Sequence, residues 1–351
     1  MTCARSQIAT RQAARTPGRH VAASVALSLS ACIAASAPVD GEGTSLPARD
    51  VVLEQPTPTT EPADAARLDL EGERTCRPWR VETVGTQLGT LENLLPESAD
   101  GLLLADATGG RLLRFSRADH SVTTVRDDVP AIGGLATRDG WIYAALGNDI
   151  WSGLTGTQSG QIVRFLGPSG ALESWADRLI MPNGLALLPD GSAVTTRDID
   201  LFGATPSGIT RVPGTPPRER QLSWSSLEGS NGAAVDPTGT WLYVSRTFTT
   251  RAEIWRIAVD DPQQRELVAD LGPGLALLLD DLTVTQRYVY VAANLAGSIF
   301  RVDIESGASC QIASGLTLPS AVKFGAPDAG SGRERLYATS LAGDFYELRE
   351  E

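Results

Sequence analysis

The sequence is poor in the residues from which most catalytic sites are built. Its 351 residues include two histidines, four cysteines and two methionines, with 6% aromatics. His20 falls in an N-terminal targeting segment, which leaves His120, in "SRADHSVTTV", as the one imidazole of the remaining chain. A histidine dyad is therefore excluded, and a Ser–His–Asp triad has only that polar stretch between apolar strands to draw on. No glycine-rich phosphate cradle and no cysteine nucleophile is evident. No long segment shows a 3.6-residue apolar period, which argues against a helical bundle. A basic surplus is also missing: the net charge is −12, which disfavours nucleic acid and suits solubility or the binding of cations.

The first 31 residues run against that acidity. They carry Arg5, Arg11, Arg15 and Arg19 and no acid, and lead into "VAASVALSLSACIAASA", an apolar run too short to span a bilayer. Residues 1–32 read as an export signal. Leu29-Ser30-Ala31-Cys32 is similar to the lipobox of bacterial lipoproteins, which would make Cys32 the lipidated first residue; cleavage after Ala37 is the alternative. Residues 33–75, with "EQPTPTTEPADAA", have the composition of a disordered tether. The folded domain is expected over 76–351, exported to the cell envelope and either lipid-anchored or secreted. Cys76 and Cys310 are the two cysteines of that region, and an oxidising compartment predicts a disulfide between them.

What the chain has in abundance is turns. Thirty-five glycines and 21 prolines punctuate short strands, and the punctuation repeats. "ENLLPESADGLLLADATGGRLLRF" begins at Glu92, "GGLATRDGWIYAALGND" at Gly133 and "NGLALLPDGSAVTTRD" at Asn183. "NGAAVDPTGTWLYVSRTFTTRAEIWRI" follows at Asn231, "DDLTVTQRYVYVAANLAGSIFRV" at Asp280 and "SAVKFGAPDAGSGRERLYATSLAGDFYEL" at Ser320. A period of roughly 40–50 residues marks propeller blades. Each unit reads as an apolar strand, a polar turn, a second strand such as "WLYVS", and a third such as "IWRI", in which alternation sets apolar residues on one face and Arg on the other. Polar stretches such as "PPRERQLSW" and "DPQQRELVAD" supply the fourth. The expectation is an all-β, six-bladed β-propeller with four-stranded antiparallel blades, and with the Cys76–Cys310 bridge reaching a strand of the last blade.

Innermost strands surround a propeller's axis, so Glu92, Gly133, Asn183, Asn231, Asp280 and Ser320 converge at one end of it. Four carry the oxygens a hard cation prefers: two carboxylates and two amides, without sulfur or imidazole, a set that favours Ca²⁺. Taken singly each has a plainer role, Asn183 and Asn231 as turn formers ahead of Gly, Asp280 as a cap beside Asp281, and Glu92 as a solvated charge. Their common register is what joins them.

The stretches "MPNGLALLPDG", "SNGAAVDPTGTWLYVS", "LDDLTV" with "YVYVAANLAGSIFRVD", and "LPSAVKFG" resemble the gluconolactonase-like six-bladed propellers that include senescence marker protein (regucalcin). Diisopropyl fluorophosphatase and paraoxonase are wider relatives, and the resemblance covers residues 77–350. It implies that Glu92, Asn183, Asn231 and Asp280 hold Ca²⁺ or another divalent cation, with Asp280 as catalytic base or nucleophile. Asp281 stands where many relatives have Gly. The activity implied is metal-dependent hydrolysis of a lactone or related ester on a small-molecule substrate. A non-catalytic metal- or ligand-binding propeller and a phosphotriesterase-like hydrolase are the alternatives. Asn148, Arg197, Arg246 and Asn294, which follow inner or second strands, are candidates for the pocket mouth. A monomer is expected, touching a membrane only through an N-terminal lipid.

Overall fold

The computed structural model describes residues 76–199, 208–327, 332 and 334–350. The expected export signal over 1–32, with Cys32, and the expected tether over 33–75 lie outside the described residues. No helix among those described is long and apolar enough to cross a membrane.

Six four-stranded antiparallel sheets follow one another along the chain. Their inner strands are Leu91–Pro96, Ile132–Arg138, Leu185–Leu187, Ser230–Val235, Leu279–Val284 and Pro319–Phe324, which open blades one to six. Each then pairs outward with the second, third and outer strands in sequence order. Blade six departs from this: its outer strand is Arg80–Gly85, the first strand of the domain, which pairs with Phe345–Arg349. The ring is thus closed by exchange between the two ends of the chain, which leaves no blade to fray alone.

The disulfide forms, with a correction to its place. Cys310 lies on the outer strand of blade five, Ser309–Ser314, and Cys76 just precedes the outer strand of blade six, with a Cα–Cα distance of 5.5 Å. It therefore staples two adjacent outer strands, helped by the Trp79 N–H donating to the Ile312 carbonyl. Because the bond closes a span of 234 residues, Cys310→Ser is expected to lose about 2–5 kcal/mol in denaturant unfolding.

Packing explains a feature that alternation alone does not. The buried apolar side chains divide into six clusters, each shared by two neighbouring blades. In the second strand of blade one, Leu103 and Ala105 face blade two while Leu102 and Leu104 face blade six. A strand covered on both faces reads as the continuous run "GLLLAD". The third strands are likewise packed on both sides, against the one-sided expectation: Leu112 and Leu113 enter different clusters. Their recurrent Arg is structural. Arg164 and Arg256 lie over the rings of Trp141 and Trp241, 4.2 and 4.4 Å from the centroids. His120 sits at positive φ in the turn after the third strand of blade one and stacks on Phe115.

Candidate metal centre and active site

The leading residues owe their position to a repeated backbone device. In five blades the pairing of inner and second strands shifts register directly after the first inner-strand residue, as between Leu91 and Asn93 or between Leu279 and Leu282. Such a bulge releases Glu92, Asn231, Asp280 and their equivalents from the ladder and re-aims them. Two residues ahead of five of the six leading residues, all but Glu92, the chain turns left-handed: Ala131, Met181, Leu278 and Leu318 have φ between 42° and 47°, and Gly229 has φ 66°. That conformation costs a non-glycine residue about 1–2 kcal/mol, which the ring sustains by using its carbonyls. Those of Ala131, Gly229, Leu278 and Leu318 accept from the N–H groups of Asn148, Thr247, Asn294 and Leu341, fixing the segments that follow the second strands.

Asn-Gly is now explained without a hairpin. Leu185–Leu187 is the inner strand and the turn is at Leu188–Gly191, where Gly191 has φ 86°. Gly184 is needed because a Cβ there would stand 2.3 Å from the Asn231 carbonyl of the next blade, and one at Gly232 would stand 2.6 Å from Asp281 Cα. The same approach is bridged by hydroxyls. The Gly184 N–H donates to Thr196 Oγ1, which donates to the Asn231 carbonyl; the Gly232 N–H donates to Ser245 Oγ, which donates to the Asp280 carbonyl. At these two junctions neighbouring inner strands are tied together through a buried hydroxyl, which holds Asn183, Asn231 and Asp280 in fixed relation.

At the mouth lies a cavity of about 240 Å³. Glu92, Asn183, Asn231 and Asp280 all line it, joined by Asn148, Asp198, Thr247 and Asn294 and by six apolar side chains: Ile150, Met181, Ile199, Phe248, Leu278 and Leu341. Asn148 Nδ2 donates to Glu92 Oε1 at 3.0 Å, and Asn294 Nδ2 approaches Asp280 Oδ2 at 3.5 Å. Arg197 and Arg246 are not among the lining residues. Arg246 turns away to Glu253 Oε2 at 2.5 Å and to the Glu228 carbonyl, and Arg197 is buried. Gly133 and Ser320 complete the axial ring without contributing a ligand side chain to the cavity; Ser320 Oγ donates to the Leu91 carbonyl.

Asp198 is the residue that the repeat comparison overlooked. It lies three residues beyond Thr195, the partner of Leu185; Thr247, Asn294 and Leu341 stand in the same relation to Val244, Val291 and Ala338. Registering the second strands as well as the first would have found it.

The three acids are buried together in the lining of this one cavity. Burial, then the charges of Asp198 and Asp281, push the Glu92 carboxyl up to about 7, although the Asn148 hydrogen bond opposes this. Burial raises Asp198 to about 6 against the pull of its own and neighbouring backbone N–H groups and the Asn183 amide. Asp280 lies well above the usual carboxylate range through burial and the neighbouring Glu92 charge. Among the described residues no Lys or Arg lines the cavity. Asn231 Oδ1, Asp198 Oδ1 and Asn148 Oδ1 are buried without a hydrogen-bond partner. Among the described residues no three Asp, Glu, His or Cys side chains are close enough to hold a metal by themselves, so a cation here requires the amide oxygens too. Mixed carboxylate and amide oxygens of this kind fit Ca²⁺.

One layer deeper the charges are balanced. Asp281 Oδ2 accepts from Asn93 Nδ2 at 2.6 Å, across the ring, and from Lys323 Nζ at 3.4 Å, while Oδ1 accepts from the Leu282 N–H. Lys323 is the sole lysine in a chain otherwise furnished with Arg. The adjacent acids are thereby distinguished, Asp280 opening to the cavity and Asp281 held in an internal ion pair. Lys323→Met strands a buried carboxylate and is expected to cost about 2–3 kcal/mol in chemical denaturation. Adding Asp281→Asn should recover most of that loss, whereas simple additivity of the two changes would show that the pair is uncoupled.

A six-bladed propeller with an oxygen-rich acidic pocket on its axis is the class that fold and site define. Residues 93–342 match the SMP-30/Gluconolactonase/LRE-like region, and the chain belongs to that family. Glu92 falls immediately before the matched segment. A gluconolactonase from Xanthomonas campestris superposes with a TM-score of 0.60 at 20% identity, covering 79% of this chain and 92% of that one. Regucalcin from Agrobacterium tumefaciens, described as a calcium-binding protein, gives 0.58 at 17%, covering 78% and 94%. A luciferin-regenerating enzyme gives 0.56 at 13%, covering 78% and 95%. At these identities the likeness is one of fold. No curated protein matches the chain.

Proposed function

We propose that the protein is a divalent-cation-dependent hydrolase of lactones or related esters, with Glu92, Asn183, Asn231 and Asp280 as cation ligands and Asp280 also as proton acceptor. The observation that carries this reading is the set of buried carboxyl groups that line one cavity with the partnerless Asn231 Oδ1, where the described residues supply no cationic side chain. Membership of a family whose name includes gluconolactonase supports it. Asp198, hydrogen-bonded to Asn183, holds that amide in place from one side, and Asn148 does the same for Glu92. A cation held by these oxygens supplies Lewis-acid polarisation of the ester carbonyl. Asp280 takes a proton from water as the water oxygen bonds to the acyl carbon. The ring C–O bond then breaks, and the leaving alkoxide receives that proton, giving the hydroxy acid. Asn294, within reach of Asp280 Oδ2, orients the carboxylate.

Turnover of a panel of lactones, aryl esters and phosphotriesters, before and after chelation, tests this. Lactone hydrolysis lost on chelation and restored by Ca²⁺ is expected; activity that survives full metal removal would sink it, and turnover of phosphotriesters alone would move the reaction to phosphoester cleavage. A calcium-binding propeller without turnover is the second reading. It is favoured by the absence, among the described residues lining the cavity, of any imidazole or ammonium to tune a proton transfer at Asp280, and it predicts a large thermal shift with Ca²⁺ and no product from any substrate.

A further inference from the structure

The mouth of the cavity is apolar in a way the rest of the surface is not. Each inner strand begins at the mouth, so connections from second to third strands and from outer strands to the next blade lie on that same face. Among the described residues the most exposed large apolar side chains number eight, and six of them sit in these connections: Ile150, Trp151, Phe248, Leu275, Leu295 and Leu318, exposed by 39–74%. Leu166 and Leu267, the other two, are on a third and an outer strand, away from the mouth. Ile150 and Trp151 are held out by a short helix, Ile150–Thr155, whose first turn is capped by Asp149 Oδ1 accepting from the Ser152 N–H. Ile150 and Phe248 belong both to this rim and to the cavity lining, so the apolar surface runs continuously from solvent to the axial acids.

The charges point the same way. Among the described residues every ionisable group lining the cavity is a carboxyl, with no Lys or Arg to receive a phosphate or carboxylate on the substrate. An anionic substrate would meet like charge, and a polyol would have to leave water for a rim of Ile, Trp, Phe and Leu. We infer that the substrate is an uncharged ester or lactone carrying an unbranched or aromatic hydrocarbon substituent, whose carbonyl sits at Asp280 while its substituent lies across Ile150 and Phe248. This rests on the hydrolase reading and narrows it to lipophilic, non-sugar substrates.

The test is a series of five-membered lactones with ring alkyl chains of zero to eight carbons, a polyhydroxylated lactone, and matching non-hydrolysable lactams. With Ca²⁺ present, kcat/KM is expected to rise about three- to fourfold per methylene over the first few carbons, and the polyhydroxylated lactone to fall at least about 100-fold below the longest chain. Phe248→Ser and Ile150→Ser should each reduce the gain per methylene. A flat or falling series, or preference for the polyol, would overturn the inference. If no lactone turns over, the hydrolase reading fails, and lactam binding by calorimetry decides the rest. Affinity that tightens with chain length keeps the apolar specificity; affinity independent of it overturns it. Binding to neutral phosphatidylcholine vesicles together with a flat series would assign the rim to a lipid surface, which also overturns it.

Discussion

Replacing Asp280 by Asn is expected to lower kcat for lactone hydrolysis by about 10²–10⁴-fold, the usual contribution of a positioned general base. Calcium affinity should fall much less, by about tenfold or below, because Asn keeps an oxygen donor where the carboxylate stood and Glu92, Asn183 and Asn231 remain. The separation between the two effects is the informative quantity. Asp281→Asn, by contrast, acts on a carboxylate already engaged by Asn93 and Lys323, and its effect belongs to stability. Pre-steady-state turnover and calorimetric calcium titration of both variants measure this directly. Equal losses of turnover and affinity in Asp280→Asn would reduce that residue to a ligand, and retained turnover would remove it from the chemistry.

The second large effect is a stability that runs opposite ways with and without cation. In the cation-free protein Glu92 is raised from 4.5 to about 7 and Asp198 from 3.8 to about 6. Between about pH 4 and 7 the folded state therefore holds protons that the unfolded chain has released, and stability falls as pH rises through that window. Two shifts of this size are worth on the order of 3 kcal/mol or more, or roughly 6–10 °C in Tm for a domain of this length. Cation binding requires the ionised carboxylates, so its stabilisation grows over the same window. Melting in chelator is expected to drop from pH 5 to pH 7.5, with calcium raising Tm far more at 7.5 than at 5. A chelated protein equally stable at both pH values would show that these acids are not held protonated.

Much of this architecture was legible because a propeller writes its symmetry into the chain. The interval from Asn183 to Asn231 to Asp280 is a blade, and the residues that share a register share a place on the axis. What could not be read arises from contacts between blades. The close approach that demands Gly184 involves a carbonyl 47 residues further on, and the hydroxyl of Thr196 that bridges it looks like any strand threonine. Asp198 was masked by its neighbour Arg197 and by the absence of a second-strand register. The exchange that makes Arg80–Gly85 the outer strand of blade six, and so places Cys310 in blade five, is a property of ring closure that no local stretch encodes. Register with Asn183 and Asn231 singled out Asp280 over Asp281, but the ion pair that engages Asp281 with Lys323 becomes visible only once strands of different blades stand side by side.

The central claim, that buried carboxylates and partnerless amide oxygens form one cation site on the axis, is tested most directly by calcium titration of the chelated protein by calorimetry. One ion per chain is predicted, with binding abolished by Glu92→Leu and weakened at least about 100-fold by Asn231→Leu while both variants remain folded by circular dichroism. An absence of binding, or binding that survives both substitutions unchanged, would contradict it.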